Sequence, residues 1–335
     1  MALKAILVGV GGRGEWAVNV LTSDPNWQVV GLVDPNIDFL RTAQQVTGLP
    51  DTALFRDLET ALDYAEADAI IACTPTRTHA PLGRLAFRKR KHYLVEKGMT
   101  LDWEEAKSLV AEASSAGVKF CVAQNYRYWP VEKAITALLN DPSSPHYPGQ
   151  IEIVDLVHHR YRPNPRTLDY PYAMVWDMSC HHVDLLNAWL GAAKRVTAIS
   201  SNPTWSKYEY DADIAAIIEY ESGAVCHYVL THAATIADYR LILQGESGAL
   251  RAYDMPGLRY YPVPEQHLGT AESVQCDVPD QVRSEQGVVN DFYRYVVEGV
   301  EPGISGRNNL KTLAVCEMLV RSARDRRSVE SSELA

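Results

Sequence analysis

The stretch that decides the fold is the apolar run Leu3–Val8 followed by Gly9-Val10-Gly11-Gly12-Arg13-Gly14. A short apolar run, then Gly-x-Gly-x-x-Gly, then a helical pattern predicts a strand, a tight turn and a helix. The first glycine allows the turn, the second lets backbone approach a pyrophosphate, and the third lets strand and helix pack closely. Unpaired N–H groups at the start of the helix favour phosphate. The stretch therefore predicts a dinucleotide-binding unit, and an ordinary glycine-rich turn is the alternative.

An acidic residue ends the second predicted strand. Asp34 follows Val29–Val33, 20 residues after Gly14, where a carboxylate can accept hydrogen bonds from the adenosine ribose. Because a carboxylate repels a 2′-phosphate, Asp34 favours NAD over NADP. Arg13 leaves an alternative open, since it could contact the pyrophosphate or reach a 2′-phosphate.

The first 123 residues alternate short apolar runs with helical patterns. The predicted strands are Leu3–Val8, Val29–Val33, Ala69–Ala72, Tyr93–Glu96 and Lys119–Ala123. The predicted helices are Gly14–Thr22, Asp38–Thr47, Leu58–Tyr64, Pro81–Arg90 and Leu101–Ala116. Strands that are apolar throughout and alternate with helices indicate a doubly wound parallel sheet covered on both faces.

The second half has a different pattern, in which short turns separate consecutive strands. The predicted strands are Ile151–Arg160, Val196–Ser200, Ile214–Tyr220, Val225–Thr231, Tyr239–Gln244 and Leu258–Tyr261. The predicted helices are Ser179–Leu190, Val282–Glu298 and Arg307–Arg324. This order favours an antiparallel sheet. We therefore expect a dinucleotide-binding domain at residues 1–124 and a second domain, for substrate and self-association, at residues 125–335.

Composition excludes several classes of protein. The chain has 335 residues, 47% of them hydrophobic, which is typical of two globular domains. Its formal net charge of −10 argues against a nucleic-acid partner, which would require a basic surface. We find no signal peptide and no run of about 20 apolar residues, so we expect a cytoplasmic protein without a membrane partner.

The six cysteines give no sign of a metal site or a disulfide framework. No two are closer than 40 residues, so neither Cys-x-x-Cys nor a zinc-ribbon spacing occurs. Cys180-His181-His182 is the one local cluster of ligand types, but adjacent residues on a helix point apart. We predict reduced, buried thiols and no metal.

Several further motifs follow the predicted elements in a specific order. They are Cys73-Thr74-Pro75 with His79, Val95-Glu96-Lys97-Gly98, Asn125–Pro130, Asp177 with His181 and Asp184, and the C-terminal stretch Gly306–Val315. Over nearly its whole length the chain resembles the Gfo/Idh/MocA family. The resemblance implies an N-terminal Rossmann domain and a C-terminal α/β domain with a large, mainly antiparallel open sheet. It also implies NAD(P)-dependent oxidation of sugars, sugar derivatives or cyclitols.

Carried over by position, the resemblance makes Lys97, Asp177 and His181 the catalytic set. The chemistry agrees, because a histidine near neutral pH can take the hydroxyl proton and a lysine cation can stabilise a developing alkoxide. Asp177 could instead cap a helix, a role for which Ser179 competes, and His182 could replace His181. The family pattern selects His181.

The resemblance and the motifs together define two further sets of site residues. The predicted cofactor contacts are Gly9, Gly11, Gly12, Arg13, Gly14, Asp34, Thr74, Pro75, His79, Glu96 and Lys97. The predicted substrate contacts are Lys97, Tyr126, Arg127, Arg160, Tyr161, Arg162, Trp176, Asp177, His181 and Asp184, with Arg166 nearby. Such donors and flat aromatic faces suit sugars. An exposed sheet edge with ordinary surface arginines is the alternative.

The chain departs from the family pattern at three places. Gly98 replaces the usual proline, which we expect to loosen the turn at Lys97. The segment Pro171–Trp176 is bulkier than usual, and Ser179 replaces a glycine. These changes leave the substrate undefined.

Two other functions remain open from the sequence. The first is an NAD-retaining glycosidase that works through transient oxidation at C3, and the second is a dinucleotide sensor without catalysis. Retention of Lys97, Asp177 and His181 argues against the sensor. The apolar pattern of Ala212–Tyr220 and the resemblance predict a homodimer or homotetramer through the C-terminal sheet.

Overall fold

The computed structural model describes residues 2–162, 170–264, 271–280 and 283–334. The chain folds into two compact units. Unit 1 comprises Met1–Asn125 and Arg283–Leu310, and unit 2 comprises Tyr126–Val282 and Lys311–Ala335.

The strands are β1 Leu3–Val8, β2 Trp27–Val33, β3 Leu54–Phe55, β4 Ala69–Ala72, β5 His92–Glu96, β6 Phe120–Ala123, β7 Ile151–Tyr161, β8 Ala193–Ser201, β9 Asp213–Tyr220, β10 Val225–Thr231, β11 Ala233–Gly245, β12 Gly248–Ala252, β13 Leu258–Pro262, β14 Val274–Cys276 and β15 Val329–Glu330. The α-helices are α1 Glu15–Ser23, α2 Ile37–Thr47, α3 Leu58–Tyr64, α4 His79–Arg88, α5 Trp103–Ser115, α6 Pro130–Leu139, α7 Cys180–Leu190, α8 Ser284–Glu298 and α9 Gly306–Asp325.

Unit 1 contains a parallel sheet with strand order β3-β2-β1-β4-β5-β6. Strand β4 is buried throughout, and β1 and β5 are buried beyond their first residues, as the continuous apolar runs predicted. Asn36, Asp57 and Asp102 cap α2, α3 and α5 by accepting backbone N–H bonds, which fixes where these helices begin. The doubly wound fold is confirmed. The sequence analysis missed β3, a strand of only two residues.

Unit 2 contains a nine-stranded sheet with order β14-β13-β12-β11-β7-β10-β9-β8-β15 among the described residues. Every neighbouring pair is antiparallel except β7 and β10. The mainly antiparallel sheet is therefore confirmed. Burial alternates along β9, so one face of the sheet is packed and the other is open.

The sequence analysis missed several elements of unit 2. Strands β12, β14 and β15 are short, and β12 follows its turn without a clear apolar run. Helix α6 begins at Pro130, whose fixed φ suits the first turn of a helix. The polar and aromatic motif directly before Pro130 obscured this start.

We expected the second domain to be the continuous range 125–335. In the structure, Arg283–Leu310 belongs to unit 1 instead. Helix α8 belongs to unit 1, where the Phe292 ring stacks on Trp27 at 5.8 Å between centroids. Val122 donates a backbone hydrogen bond to Ile304, and Gly306 packs against Phe120. The break after Asn125 lies one residue beyond the expected one. The late part of the chain returns to unit 1 because apolar α8 side chains cover Trp27.

All six cysteines are buried and none forms a disulfide. In the described part of the chain, no helix combines the length and the apolar character needed to cross a membrane.

Candidate active site

The glycine turn after β1 leaves no room for side chains. A Cβ on Gly14 would lie 1.8 Å from the Gly9 carbonyl oxygen, and one on Gly9 would lie 2.7 Å from the Cys73 oxygen. Gly9 also has a φ of +75°. A Cβ on Gly11 would lie 2.3 Å from the Phe39 ring. Gly9 and Gly14 are therefore required by the backbone geometry itself, whereas a Cβ at Gly11 would displace only the exposed Phe39 side chain.

The same turn fits a dinucleotide phosphate. Gly12 has a φ of +54°, and nothing lies within 4 Å of the position its Cβ would take. No side chain caps the short helical turn after Gly11 or the start of α1 at Gly14. The first N–H groups thus remain available to an anion, in a helix-start geometry that attracts phosphate. The backbone at Gly11 and Gly12 would hold the pyrophosphate, whereas Gly9 and Gly14, whose N–H groups donate to the Val33 and Gly11 oxygens, shape the turn.

Asp34 is fixed at the end of β2. One carboxylate oxygen accepts from the Val10 N–H at 3.0 Å, and the other accepts from the Asn36 N–H at 2.8 Å. The residue is 6% exposed. Each oxygen keeps a further acceptor position, so Asp34 fits a ribose diol.

Arg13 is directed to two carboxylates. Its Nε donates to Glu96 Oε1 at 2.8 Å, and its Nη1 lies 3.2 Å from Glu285 Oε1. These contacts do not support the alternative in which Arg13 reaches a 2′-phosphate. Glu96 also accepts from Trp16 Nε1 at 2.8 Å and from the Lys97 N–H at 3.1 Å. Arg13 therefore helps to hold the end of β5.

His79 connects the turns after β4 and β5. Its Nδ1 lies 2.7 Å from the Gly98 oxygen and its Nε2 lies 2.8 Å from the Thr74 oxygen. Burial lowers the pKa of the fully buried ring, and the two carbonyls oppose that shift. At neutral pH the uncharged ring donates to one carbonyl at a time. Thr74 and Pro75 follow β4 after Cys73, at the end of the strand where they were predicted.

The turn at Lys97 is held from both sides, contrary to the expectation that Gly98 loosens it. Glu96 binds the Lys97 N–H, and His79 binds the Gly98 carbonyl. The Lys97–Gly98 peptide bond is cis. Lys97 itself is partly exposed at the carboxyl end of β5.

In unit 2, Asp177 lies in a π-helical segment, Val175–Ser179, that runs into α7. Its carboxylate accepts from Arg162 Nη1 at 2.7 Å, and the Arg162 N–H donates to the His232 oxygen. Neither side chain is fully buried, with 22% of Asp177 and 33% of Arg162 exposed. π-Helical turns often occur at functional sites. Asp177 is thus oriented by an arginine from the end of β7, which differs from the simple helix cap considered above.

His181 begins the buried face of α7 and is 4% exposed. Its ring stacks on Tyr126 with centroids 4.0 Å apart and planes 5° apart, and Tyr126 stacks on Trp129 at 3.8 Å. Tyr126 therefore fixes the plane of the His181 ring.

The buried Asp184 pairs with the partly exposed Arg127. Arg127 Nε donates to Asp184 Oδ2 at 2.6 Å and its Nη2 donates to Oδ1 at 3.0 Å, while Thr312 donates to Oδ1 at 2.9 Å. Asp184 is 1% exposed. These bonds fasten the turn that carries Tyr126 to α7 and α9, and contact of Arg127 and Asp184 with substrate stays a prediction.

The remaining predicted substrate residues differ in their exposure to solvent. Trp176, which was predicted as a substrate contact, is 5% exposed and belongs to the core of unit 2. Tyr161 is 70% exposed. Arg160 is partly exposed, but its Nη1 is buried and has no hydrogen-bond partner among the described residues. Arg166 lies outside the described residues.

A row of polar aromatic side chains was missed from the sequence. Tyr253, Tyr239 and His158 stack in succession, each pair with centroids 4.1 Å apart. Glu132 on α6 accepts from the Tyr253 hydroxyl, and burial raises the pKa of Glu132 to about 7. Alternation along β7 could have indicated His158 and Arg160, because they share the face of the buried Leu156. Nothing local could have indicated Tyr253.

Two family models match this chain. The model described as an oxidoreductase family, NAD-binding Rossmann fold, matches residues 3–124, and that family's C-terminal alpha/beta domain matches residues 172–331. The chain belongs to the Gfo/Idh/MocA oxidoreductase family. The two matches cover the candidate residues of unit 1 up to Lys97 and those of unit 2 from Asp177 onward.

The similarity to named dehydrogenases extends over most of the chain. The chain is 26% identical to a D-apiose dehydrogenase from Paraburkholderia graminis, over 99% of this chain and 90% of that protein. It is 24% identical to an inositol 2-dehydrogenase from Rhizobium meliloti, over 98% and 99%. A relative from Haloferax volcanii, at 22% identity over 84% and 86%, is a D-xylose 1-dehydrogenase named for NADP⁺.

A solved structure supports the fold. An oxidoreductase from Agrobacterium radiobacter, in complex with NAD⁺, L-tartaric acid and magnesium, covers 100% of both chains with a TM-score of 0.87 and 17% identity. Within the described ranges of the present chain, no group of three or more His, Cys, Asp or Glu side chains could hold a metal ion.

Proposed function

We propose that this protein transfers a hydride between NAD and a hydroxyl or keto group of a sugar, a sugar derivative or a cyclitol. The observation that carries the proposal is the turn at Lys97. Its cation follows β5 at the carboxyl edge of the sheet, where ligands of open α/β sheets bind. Glu96 and His79 hold the backbone on both sides of it.

The three catalytic residues have distinct proposed roles. Lys97 donates to the reacting oxygen and stabilises negative charge that develops there. His181 takes the hydroxyl proton, with its ring held by Tyr126. Asp177, oriented by Arg162, hydrogen-bonds the substrate and favours the protonated form of the base. Bound NAD would supply the hydride acceptor.

We propose NAD as the preferred cofactor. The carboxylate of Asp34 is held at the end of β2, where it can accept from both ribose hydroxyls. Glu96 and Glu285 offset the charge of Arg13, which also favours NAD over the 2′-phosphate of NADP.

The substrate class follows from the side chains of unit 2. The ring faces of Tyr126 and Tyr239 are stacked on other rings, so the partly exposed edges of these rings and the partly exposed Arg160 are the groups that suit the hydroxyls of a polyol ring. The relatives named for D-apiose and inositol agree with a sugar or a cyclitol.

The direct test incubates the purified protein with NAD and a panel of cyclitols, aldoses, sugar acids and glycosides, and follows formation of NADH. We expect one group of compounds to reduce NAD, and Lys97→Ala to lower kcat by about 10²- to 10⁴-fold while NAD still binds. A matched control is Lys91→Ala, which removes a lysine before β5. Equal rates in Lys97→Ala and the control would contradict the role of Lys97.

The glycosidase alternative is not favoured, because the relatives above are named for dehydrogenases. It predicts a different result in the same assay: release of an aglycone without net NADH. A sensor predicts NAD binding with no turnover of any compound.

We also propose a homodimer or homotetramer that forms through the open face of the unit 2 sheet. Exposed isoleucines at Ile153, Ile199 and Ile217 lie on that face, with 40–73% of each exposed. Light scattering that gives only the mass of one chain would contradict this. The six buried cysteines form no disulfide, which supports a reducing compartment, and we propose the cytoplasm.

A further inference from the structure

A hydrogen-bonded chain crosses the core of unit 2 and ends in the segment that carries Asp177. His158 Nδ1 lies 3.1 Å from His182 Nε2, and His182 Nδ1 lies 2.9 Å from the Tyr228 hydroxyl. Tyr228 donates to Ser179 Oγ at 2.8 Å. These four residues form the histidine–tyrosine chain. They come from β7, α7, β10 and the π-helical segment.

The direction of the bonds can be deduced from the donor at one end. Because Tyr228 donates its only proton to Ser179, its oxygen must accept from His182 Nδ1–H. A neutral His182 then has a lone pair on Nε2, which must accept from His158 Nδ1–H. A neutral His158 is left with a lone pair on Nε2.

Both histidines are uncharged at neutral pH. Burial lowers the pKa of His182 well below its usual value. Burial, together with Arg160, His232 and His159, lowers the pKa of His158 to about 3. Neither ring can therefore donate from both nitrogens.

His158, the end of the histidine–tyrosine chain with a lone pair on Nε2, lies beside the candidate site residues of unit 2. His158 and Arg160 are two residues apart on β7 and share a face of the sheet, and Arg162 holds Asp177. His158 is partly exposed, whereas His182, Tyr228 and Ser179 are buried.

We propose that the histidine–tyrosine chain sets His158 as a hydrogen-bond acceptor for a substrate hydroxyl and fixes the π-helical segment that presents Asp177. His158 is then a specificity-determining residue, and His182, Tyr228 and Ser179 are positioning residues. A substrate with a hydroxyl at this position is bound, and one with only an acceptor there is rejected. The inference rests on the proposed function for its substrate, but the tautomers do not depend on it.

The first experiment is NMR of ¹⁵N-histidine-labelled protein, in which two-bond ¹⁵N–¹H correlations identify the nitrogen that carries the proton. His158→Gln and His182→Gln variants assign the signals. We expect His158 and His182 both as Nδ1–H tautomers at neutral pH. An Nε2–H tautomer at His182, or a charged ring at either position, would overturn the proposal, whatever the activity of the protein.

The second experiment compares Tyr228→Phe with Tyr220→Phe. Tyr220 is a matched control because its buried hydroxyl has no hydrogen-bond partner in the described part of the chain. We expect Tyr228→Phe to change the His182 signals and to raise KM for the panel substrate about tenfold, with NAD affinity unchanged. We expect Tyr220→Phe to do neither. Equal behaviour of the two variants would overturn the proposal.

Inactivity of the wild type on the whole panel, with the expected tautomers present, would count against the proposed function and leave the hydrogen-bond directions standing. The two ideas can therefore fail separately.

Discussion

The candidate residues of unit 1 are held mainly by backbone groups, whereas those of unit 2 are held by side chains from distant parts of the sequence. In unit 1, Asp34 binds the N–H groups of Val10 and Asn36, and His79 binds two carbonyls. In unit 2, Asp177 depends on Arg162 and His181 depends on Tyr126. Backbone sites require particular residue types at fixed spacing, so they leave a motif in the sequence. Side-chain sites can be built in many ways.

In unit 1, a substitution in the glycine turn should have the largest effect on NAD binding. In Gly14→Ala the new Cβ would lie 1.8 Å from the Gly9 oxygen, so the turn must open. We expect NAD affinity, measured by calorimetry, to fall by about 100-fold or more. The control Gly117→Ala places its Cβ in open space at a φ of +69°, so it should lower stability and keep NAD binding. Unchanged affinity in Gly14→Ala would remove this turn from the cofactor site.

The corresponding test in unit 2 compares two arginines, Arg160 in β7 and Arg162 directly after it. Arg162→Ala removes the partner that orients Asp177, and a misplaced reacting group costs about 100-fold in kcat. Arg160→Ala removes a partly exposed cation that holds no carboxylate among the described residues, so it should raise KM and change kcat little. Steady-state kinetics on the panel substrate checks both. The opposite pattern would mean that Arg162 binds substrate directly.

In unit 2, the buried carboxyl of Glu132 makes the free energy of unfolding depend on pH. Burial raises the pKa of Glu132 from 4.5 to about 7, so the contribution of this carboxyl to the free energy of unfolding is fully present below about pH 4.5 and is lost as pH rises through 7. Glu132→Gln lacks this loss. We expect the variant to gain about 2–3 kcal/mol relative to wild type between pH 5 and pH 8 in urea unfolding. The exposed Glu152→Gln is the control and should show no such change. A constant difference between Glu132→Gln and wild type would contradict the raised pKa.

The smallest expected effect concerns the choice of cofactor. Asp34→Asn keeps the shape of the side chain but removes its charge, so NAD affinity should fall about tenfold and NADP affinity should rise. Asp38→Asn, an exposed change on α2, is the control. Calorimetry with both cofactors measures the ratio. Tighter NADP binding by the wild type would contradict the proposed preference.

The contrast explains how much could be predicted. The order of elements in unit 1, the glycine turn and Asp34 follow from local patterns and motifs. The roles of Arg13, Arg127 and Asp184 could not be predicted, because each depends on a carboxylate or guanidinium far along the chain. Trp176 suited a sugar by type, yet the fold buries it. Helix α8 joins unit 1 through Phe292 and Trp27, which no spacing indicates.

The most direct test of the central claim follows the hydride itself. The panel substrate is prepared with deuterium at its carbinol carbon and incubated with NAD and the wild-type protein, and NMR then locates the label. The account predicts deuterium at the nicotinamide ring of NADH, with a slower label transfer in Lys97→Ala. Turnover of the substrate that leaves the nicotinamide without deuterium would contradict the account.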